Sequence, residues 1–210
     1  MEERVRKIRS DKKREIKPTI TINLYECIDR LSYMTTKPIK DVAEEICILG
    51  LQSEATIDLL APYFRRDYWI QERTLIRGDV SRIPYTFKDK SSEKRRISIR
   101  FSQSVHDKLS ELAYALDMTV SSATALLLKI AIYESTIFVD YVLKYLDNET
   151  TEARMNQLQY IVDFINKSDE NNKEPIDIRM LLSYIMDKVS IKTKDFKKTF
   201  AQFIEQYIED

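Results

Sequence analysis

Glycine, cysteine, histidine and tryptophan are scarce: 210 residues hold two glycines, two cysteines, one histidine and one tryptophan. So little glycine argues against a fold of many tight β-turns, and plentiful Leu, Ile, Lys and Glu favour helices. Cys27 and Cys47 form neither a CxxC pair nor a Cys/His cluster. That argues against a zinc site or a disulfide framework and makes both small buried hydrophobes. His106 stands alone on an expected helix surface. No Gly-rich phosphate loop, nucleophile elbow or HExxH motif is present, so neither enzyme chemistry, nor a cofactor, nor a metal is expected. No apolar run approaches the roughly 18–20 residues that span a bilayer. The basic N-terminus lacks the apolar stretch of a signal peptide, so a cytoplasmic chain with no membrane contact is expected.

Net charge is also absent, with 34 basic and 34 acidic side chains, but the charges are unevenly spread. Residues 1–100 carry 22 Lys/Arg against 16 Asp/Glu, and residues 101–210 carry 12 against 18. A polyanion would therefore be met by the first half. Residues 1–17 read as a basic arm, either a solvated tail or a segment that lies against nucleic acid.

What is present is a switch of period, made twice. In "TITINL", after Pro18, Ile20, Ile22 and Leu24 alternate with Thr19, Thr21 and Asn23, as along a half-buried strand. From Glu26 the apolar positions Cys27, Ile28, Leu31 and Met34 follow a helical period. Pro38 breaks that helix, and a second is expected from about Asp41, burying Val42, Ile46 and Leu49. The second switch is cleaner. In "RISIRF", Ile97, Ile99 and Phe101 face one way and Arg96, Ser98 and Arg100 the other. Val105, Leu109, Leu112 and Leu116 then continue as a helix, and Thr119 caps another holding Leu126, Leu127 and Ile130. An offset of 77 residues lays Ile22 on Ile99 and Leu24 on Phe101, with a slip of about one residue afterwards.

The expected organisation is therefore a basic arm (1–17), a first strand–helix–helix unit (18–52), a partly helical connector (53–93), a second unit (94–134) and a helical region (135–210). Tyr63, Phe64, Trp69, Ile70 and Leu75 give the connector too much apolar surface for a free linker. In the last region "TKDFKKTFAQFIEQYIED" sets Phe196, Phe200, Phe203, Ile204, Tyr207 and Ile208 on one helical stripe, expected as core or oligomer seam.

A lone short strand cannot satisfy its own backbone groups, so the two strands must pair. Laid antiparallel, they bury both apolar faces on the helices and turn both polar faces outward. Such a ribbon fits the major groove of B-DNA. Arg96 and Arg100 suit guanine, Ser98, Thr19 and Thr21 suit either base type, and Asn23 suits adenine.

Each unit resembles a ribbon–helix–helix module of the MetJ, Arc and CopG type, most fully in "RISIRFSQSVHDKLSELAYALDMTVSSA". The resemblance implies a mainly α fold with a two-stranded antiparallel β-ribbon and tandem units in one chain. It implies base contacts from Arg96, Ser98, Arg100, Thr19, Thr21 and Asn23. It also implies phosphate contacts near Thr119, Val120, Ser121 and Lys40, flanked by Arg95, Lys94 and Lys17. Two departures stand out. Asp117 and Lys37–Pro38 occupy the turn where the family usually carries Gly, and Lys40–Asp41 stands where it carries a capping Ser or Thr. The strands could pair within the chain or with a second copy; the internal arrangement is favoured and predicts an asymmetric, non-palindromic site. The expected partner is double-stranded DNA, the expected role a sequence-specific transcriptional repressor, and the expected assembly a homo-oligomer through the C-terminal helices. The competing reading is an interaction or assembly factor, antitoxin-like or a plasmid partition or copy-control adaptor, whose helical C-terminus holds a partner. Covering of Arg96 and Arg100 by the connector would favour that second reading.

Overall fold

The computed structural model describes residues 13–71, 73–87, 93–145, 152–168 and 181. Within them the chain is mainly helical with small antiparallel strand pairs. Strands β1 (Arg14–Ile16) and β2 (Thr19–Thr21) lead into α1 (Ile22–Thr35) and α2 (Ile39–Gln52). The connector holds α3 (Glu54–Leu60), a 3-10 turn (Ala61–Tyr63) and the hairpin of β3 (Tyr68–Ile70) and β4 (Thr74–Ile76). Strands β5 (Lys94–Arg96) and β6 (Ile99–Phe101) then lead into α4 (Gln103–Leu116) and α5 (Val120–Tyr133). Helices α6 (Ser135–Tyr145) and α7 (Glu152–Ser168) follow. None of the described helices is long and apolar enough to cross a membrane alone.

The strands pair within the chain. β1 lies antiparallel to β6 and β2 to β5, in one unbroken register from Arg14 opposite Phe101 to Thr21 opposite Lys94. Two further bonds extend the ladder: Ile97 N donates to Pro18 O, and Ile22 N to Glu93 O, each at 3.1 Å. Pro18 has no N–H to return to Ile97, which is why the ladder divides in the middle. The first strand thus begins at Arg14, inside the segment expected as an arm; residues 1–12 lie outside the described residues.

The other correction is at the far end of that strand. The chain turns helical at Ile22, because the Thr21 hydroxyl accepts from Leu24 N and caps α1. Ile20 and Leu24 are four residues apart, a spacing shared by one face of a strand and one face of a helix. The alternating run is in fact Ile16, Pro18 and Ile20, all buried, with Glu15, Lys17 and Thr19 outside. α2 likewise starts earlier than expected, at Ile39, with Pro38 at its cap position and no side-chain cap.

These shifts change the repeat offset from 77 to 81 residues, and the slip disappears. α1 and α4 then coincide end to end, as do α2 and α5. Thr36 and Asp117, the equivalent residues that end the first helices, both have φ 56°. Left-handed backbone here does the work usually given to glycine, and it strains the β-branched Thr36 more than Asp117.

α2 and α5 cross beneath the ribbon. Gly50 sits at the crossing, where an added Cβ would lie 2.9 Å from Ala131 Cβ, so glycine is required by the close approach. Cys27 and Cys47 are buried and unbridged in this core, as expected, and burial pushes the Cys27 thiol up to about 12. The connector packs on α4: Phe64, Tyr68 and Ile70 are buried, and Arg65 N and Arg66 N donate to Ala115 O. Leu75 is only half-buried, and Trp69 stays exposed. The expected C-terminal stripe from Phe196 to Ile208 lies outside the described residues.

Candidate nucleic-acid interface

The inner face of the ribbon is Ile16, Pro18, Ile20, Ile97, Ile99 and Phe101, all buried against the helices. Alternation then dictates the outer face. Opposed pairs run along it in order: Thr21 with Lys94, Thr19 with Arg96, Lys17 with Ser98, and Glu15 with Arg100. Under the 81-residue repeat Lys17 and Ser98 are equivalent, so the pseudo-two-fold axis passes through the pair they form. All six residues of the central three pairs are exposed, and no described residue of the connector covers Arg96 or Arg100.

Glu15 gives this face its asymmetry. Its carboxylate accepts from the Ser98 hydroxyl and pairs with Lys17 Nζ at 3.0 Å. The Ser98 hydrogen bond and then Lys17 hold the Glu15 carboxyl below the usual range. Its repeat-mate is Arg96, so one end of the ribbon presents Thr19 and Arg96 and the other presents Glu15 and Arg100.

Several expected site residues sit elsewhere than expected. Thr21 is spent partly as the cap of α1, and Asn23 is exposed on the first turn of that helix, off the ribbon. Lys17 is at the centre of the outer face and not at its flank. Arg95 turns toward the helix side, its guanidinium 4.4 Å from the centre of the Tyr25 ring. Lys94 remains at the ribbon end. Lys40 is exposed in the first turn of α2.

The start of α5 is more closely tied to the ribbon. Thr119 caps it, accepting from Ser122 N at 3.2 Å, and Val120 is its first residue. Ser121 Oγ donates to Lys17 O at 2.7 Å, fixing this helix end against the ribbon. A cavity of about 470 Å³ opens there, with Lys17, Arg96, His106, Val120 and Ser121 on its walls. His106 is half-buried beside it and not on a free helix surface. In the first unit the equivalents of Thr119 and Ser121 are Pro38 and Lys40, which offer no hydroxyl for capping.

Glu15 was not foreseen as part of this face. The signal was available in "REIKPTIT", where apolar residues alternate among charges, but the charge density reads more readily as a tail. Among the described residues no cluster of His, Cys, Asp and Glu is arranged to hold a metal ion. No family model, curated protein or solved structure matches this chain.

Proposed function

We propose that this chain is a sequence-specific double-stranded DNA-binding protein of the ribbon–helix–helix kind, with both units of the pseudo-dimer in one polypeptide. The observation that carries the reading is the outer face of the 14–21/94–101 ribbon, exposed and carrying Arg96, Ser98 and Arg100 opposite Thr19, Lys17 and Glu15. A two-stranded ribbon enters the major groove, where arginine pairs with guanine and a carboxylate accepts from cytosine N4. The hydroxyl-capped start of α5 beside Lys17 supports a phosphate contact that orients the ribbon, because free amides and the helix dipole favour an anion there. Occupancy of such a site excludes other proteins from the same DNA, which is the action of a repressor.

The test is selection of binding sites from a random duplex pool with the wild type and with Arg96→Ala/Arg100→Ala. Each arginine–guanine pair discriminates by about 1–3 kcal/mol. The wild type should enrich one motif lacking dyad symmetry, and the double variant should lose at least about thirtyfold in specific affinity while melting normally. A folded wild type that enriches nothing sinks the proposal, and a perfect palindrome sinks its asymmetric ribbon.

A further inference from the structure

α1 and α4 are equivalent in the repeat, yet their outer faces are covered differently. α7 lies along α1, where Arg30 donates to Gln157 Oε1 at 2.8 Å and Arg154 Nε to Met34 O at 2.7 Å. On α4 only the connector approaches. Beyond the bond from Arg66 to Tyr114 O, at 2.7 Å, it runs on as strand β3. A groove of about 1320 Å³ is left between β3, α4 and the end of α2. Asp67, Asp107 and Glu111 stand on its walls against Lys108 alone, so the groove is net acidic. Among the described residues none of these three carboxylates has a Lys or Arg partner; Asp67 accepts from Gly78 N, and Asp107 from Gln103 Nε2. Trp69 and Tyr114, 54% and 64% exposed, set aromatic faces beside the carboxylates, a combination that suits guanidinium groups.

We propose that the occupant of this groove is the chain's own N-terminal segment, residues 1–12, folded back along α4. The first described residues are tied to both helices that wall the groove. Lys13 Nζ donates to Glu44 of α2 at 2.8 Å, and Arg14 Nε to Gln103 of α4 at 2.8 Å. Glu44 and Leu51 lie two turns apart on one face of α2, and Gln103, Asp107, Glu111 and Tyr114 share one face of α4. The segment therefore departs from the head of the groove. Extended, it reaches ~40 Å, whereas α4 rises only about 17 Å from Gln103 to Tyr114. Its chemistry is complementary. Residues 4–9, "RVRKIR", carry four basic side chains and no acidic one, with Val5 and Ile8 between them to suit Leu51 and Trp69. Tethering raises the effective concentration to about the millimolar range, so individually weak ion pairs suffice. The groove of a second copy would instead set like charge against like. The contact stands independently of the DNA reading; joined to it, nucleic acid must compete with the groove for the same basic side chains.

The experiment is acrylamide quenching of tryptophan emission in the full chain without DNA. Trp69 is the only tryptophan, so the signal reports this groove alone. Arg6→Glu/Arg9→Glu in the segment, or Asp107→Lys/Glu111→Lys in the groove, should each release the segment, red-shifting the emission and speeding its quenching. All four changes together should restore the wild-type signal, because the charges are exchanged and still opposed, which also shows that the groove pair leaves the fold intact. A peptide of residues 1–12 should reverse the shift in the Arg6→Glu/Arg9→Glu chain, and its charge-reversed counterpart should bind at least about tenfold more weakly. Emission that neither pair of changes alters overturns the proposal. So do losses that the fourfold exchange does not recover. A wild-type signal that changes with protein concentration gives the groove to another copy's segment and overturns the contact within one chain.

Discussion

The two strand–helix–helix units, residues 14–52 and 94–133, share the boundaries of both helices but almost no outward-facing chemistry. Inward positions keep their character: Ile16 matches Ile97, Ile20 matches Phe101, Ile28 matches Leu109, Leu31 matches Leu112 and Ile46 matches Leu127, all buried. Outward positions diverge, with Glu15 against Arg96, Lys17 against Ser98, and Thr19 against Arg100. The coverings diverge as well, α7 on the first unit and the connector on the second. Packing constrains the inner set tightly, because the two units bury their apolar faces on each other. The outer set is free to differentiate, and one chain can thereby present two unlike ends where a symmetric dimer presents two identical ones.

The largest effect should come from breaking the crossing that makes the two units one body. Gly50→Leu forces a side chain into space already held by Leu127 and Ala131. Overpacking costs about 1–3 kcal/mol when the surroundings can give, and Ala131 Cβ, which cannot move without its own helix, leaves little room to do so. A thermal melt should show loss of the cooperative transition or a fall in Tm of more than about 10 °C. A variant that melts like the wild type means the helices cross farther apart than described.

A smaller effect should follow from loosening what covers the first unit alone. Glu45 accepts from Tyr145 Oη, from Lys144 and from Lys37, joining the α1–α2 turn to α6. Burial works to raise the Glu45 carboxyl, but the bonds from Lys144, Tyr145 and Lys37 outweigh it and hold it below the ordinary range. A carboxyl depressed on folding stabilises at pH values above its unfolded pKa, and that contribution is lost as pH falls through the folded value. Glu45→Gln should therefore cost about 1 kcal/mol at pH 7, discounted for partial exposure, with the difference from wild type vanishing in acid. Urea melts at pH 7 and below pH 4 check it; a penalty that persists in acid removes the charge from the account.

The smallest effect concerns the equivalent left-handed residues. Thr36→Gly relieves a β-branched residue at φ 56° and should gain about 0.5–1 kcal/mol. Asp117→Gly should gain nothing, since it also removes the carboxylate that pairs with Arg65 at 2.9 Å and Arg66 at 2.8 Å. Paired urea denaturation curves distinguish the two, and equal gains contradict the unequal strain.

How far these features were legible from residues alone follows from where the signal lies. In the second unit the strand, its inner and outer faces, both helices and the Thr119 cap were readable, because alternation and capping residues agree there, whereas the half-burial of His106 and the turn of Arg95 toward Tyr25 were not. The first unit was misread by several residues at its start. Glu15 and Lys17 disguise a strand as a basic tail, and the shared four-residue spacing of Ile20 and Leu24 extends it falsely into α1. Asn23 was therefore placed on the ribbon and Glu15 left off it.

Local chemistry by itself determined that there are two strands, each followed by two helices, and that arginine and serine line one side of the second strand. Period, propensity and caps act within a few residues, so one sequence suffices to express them. Tertiary structure decided the rest: that the strands pair within one chain, that Lys17 meets Ser98 at the pseudo-two-fold centre, and that α7 closes the α1 face while the α4 face keeps a groove. These depend on contacts between residues about 50 to 130 positions apart, chosen by which apolar faces can be buried together, and no local pattern carries that information.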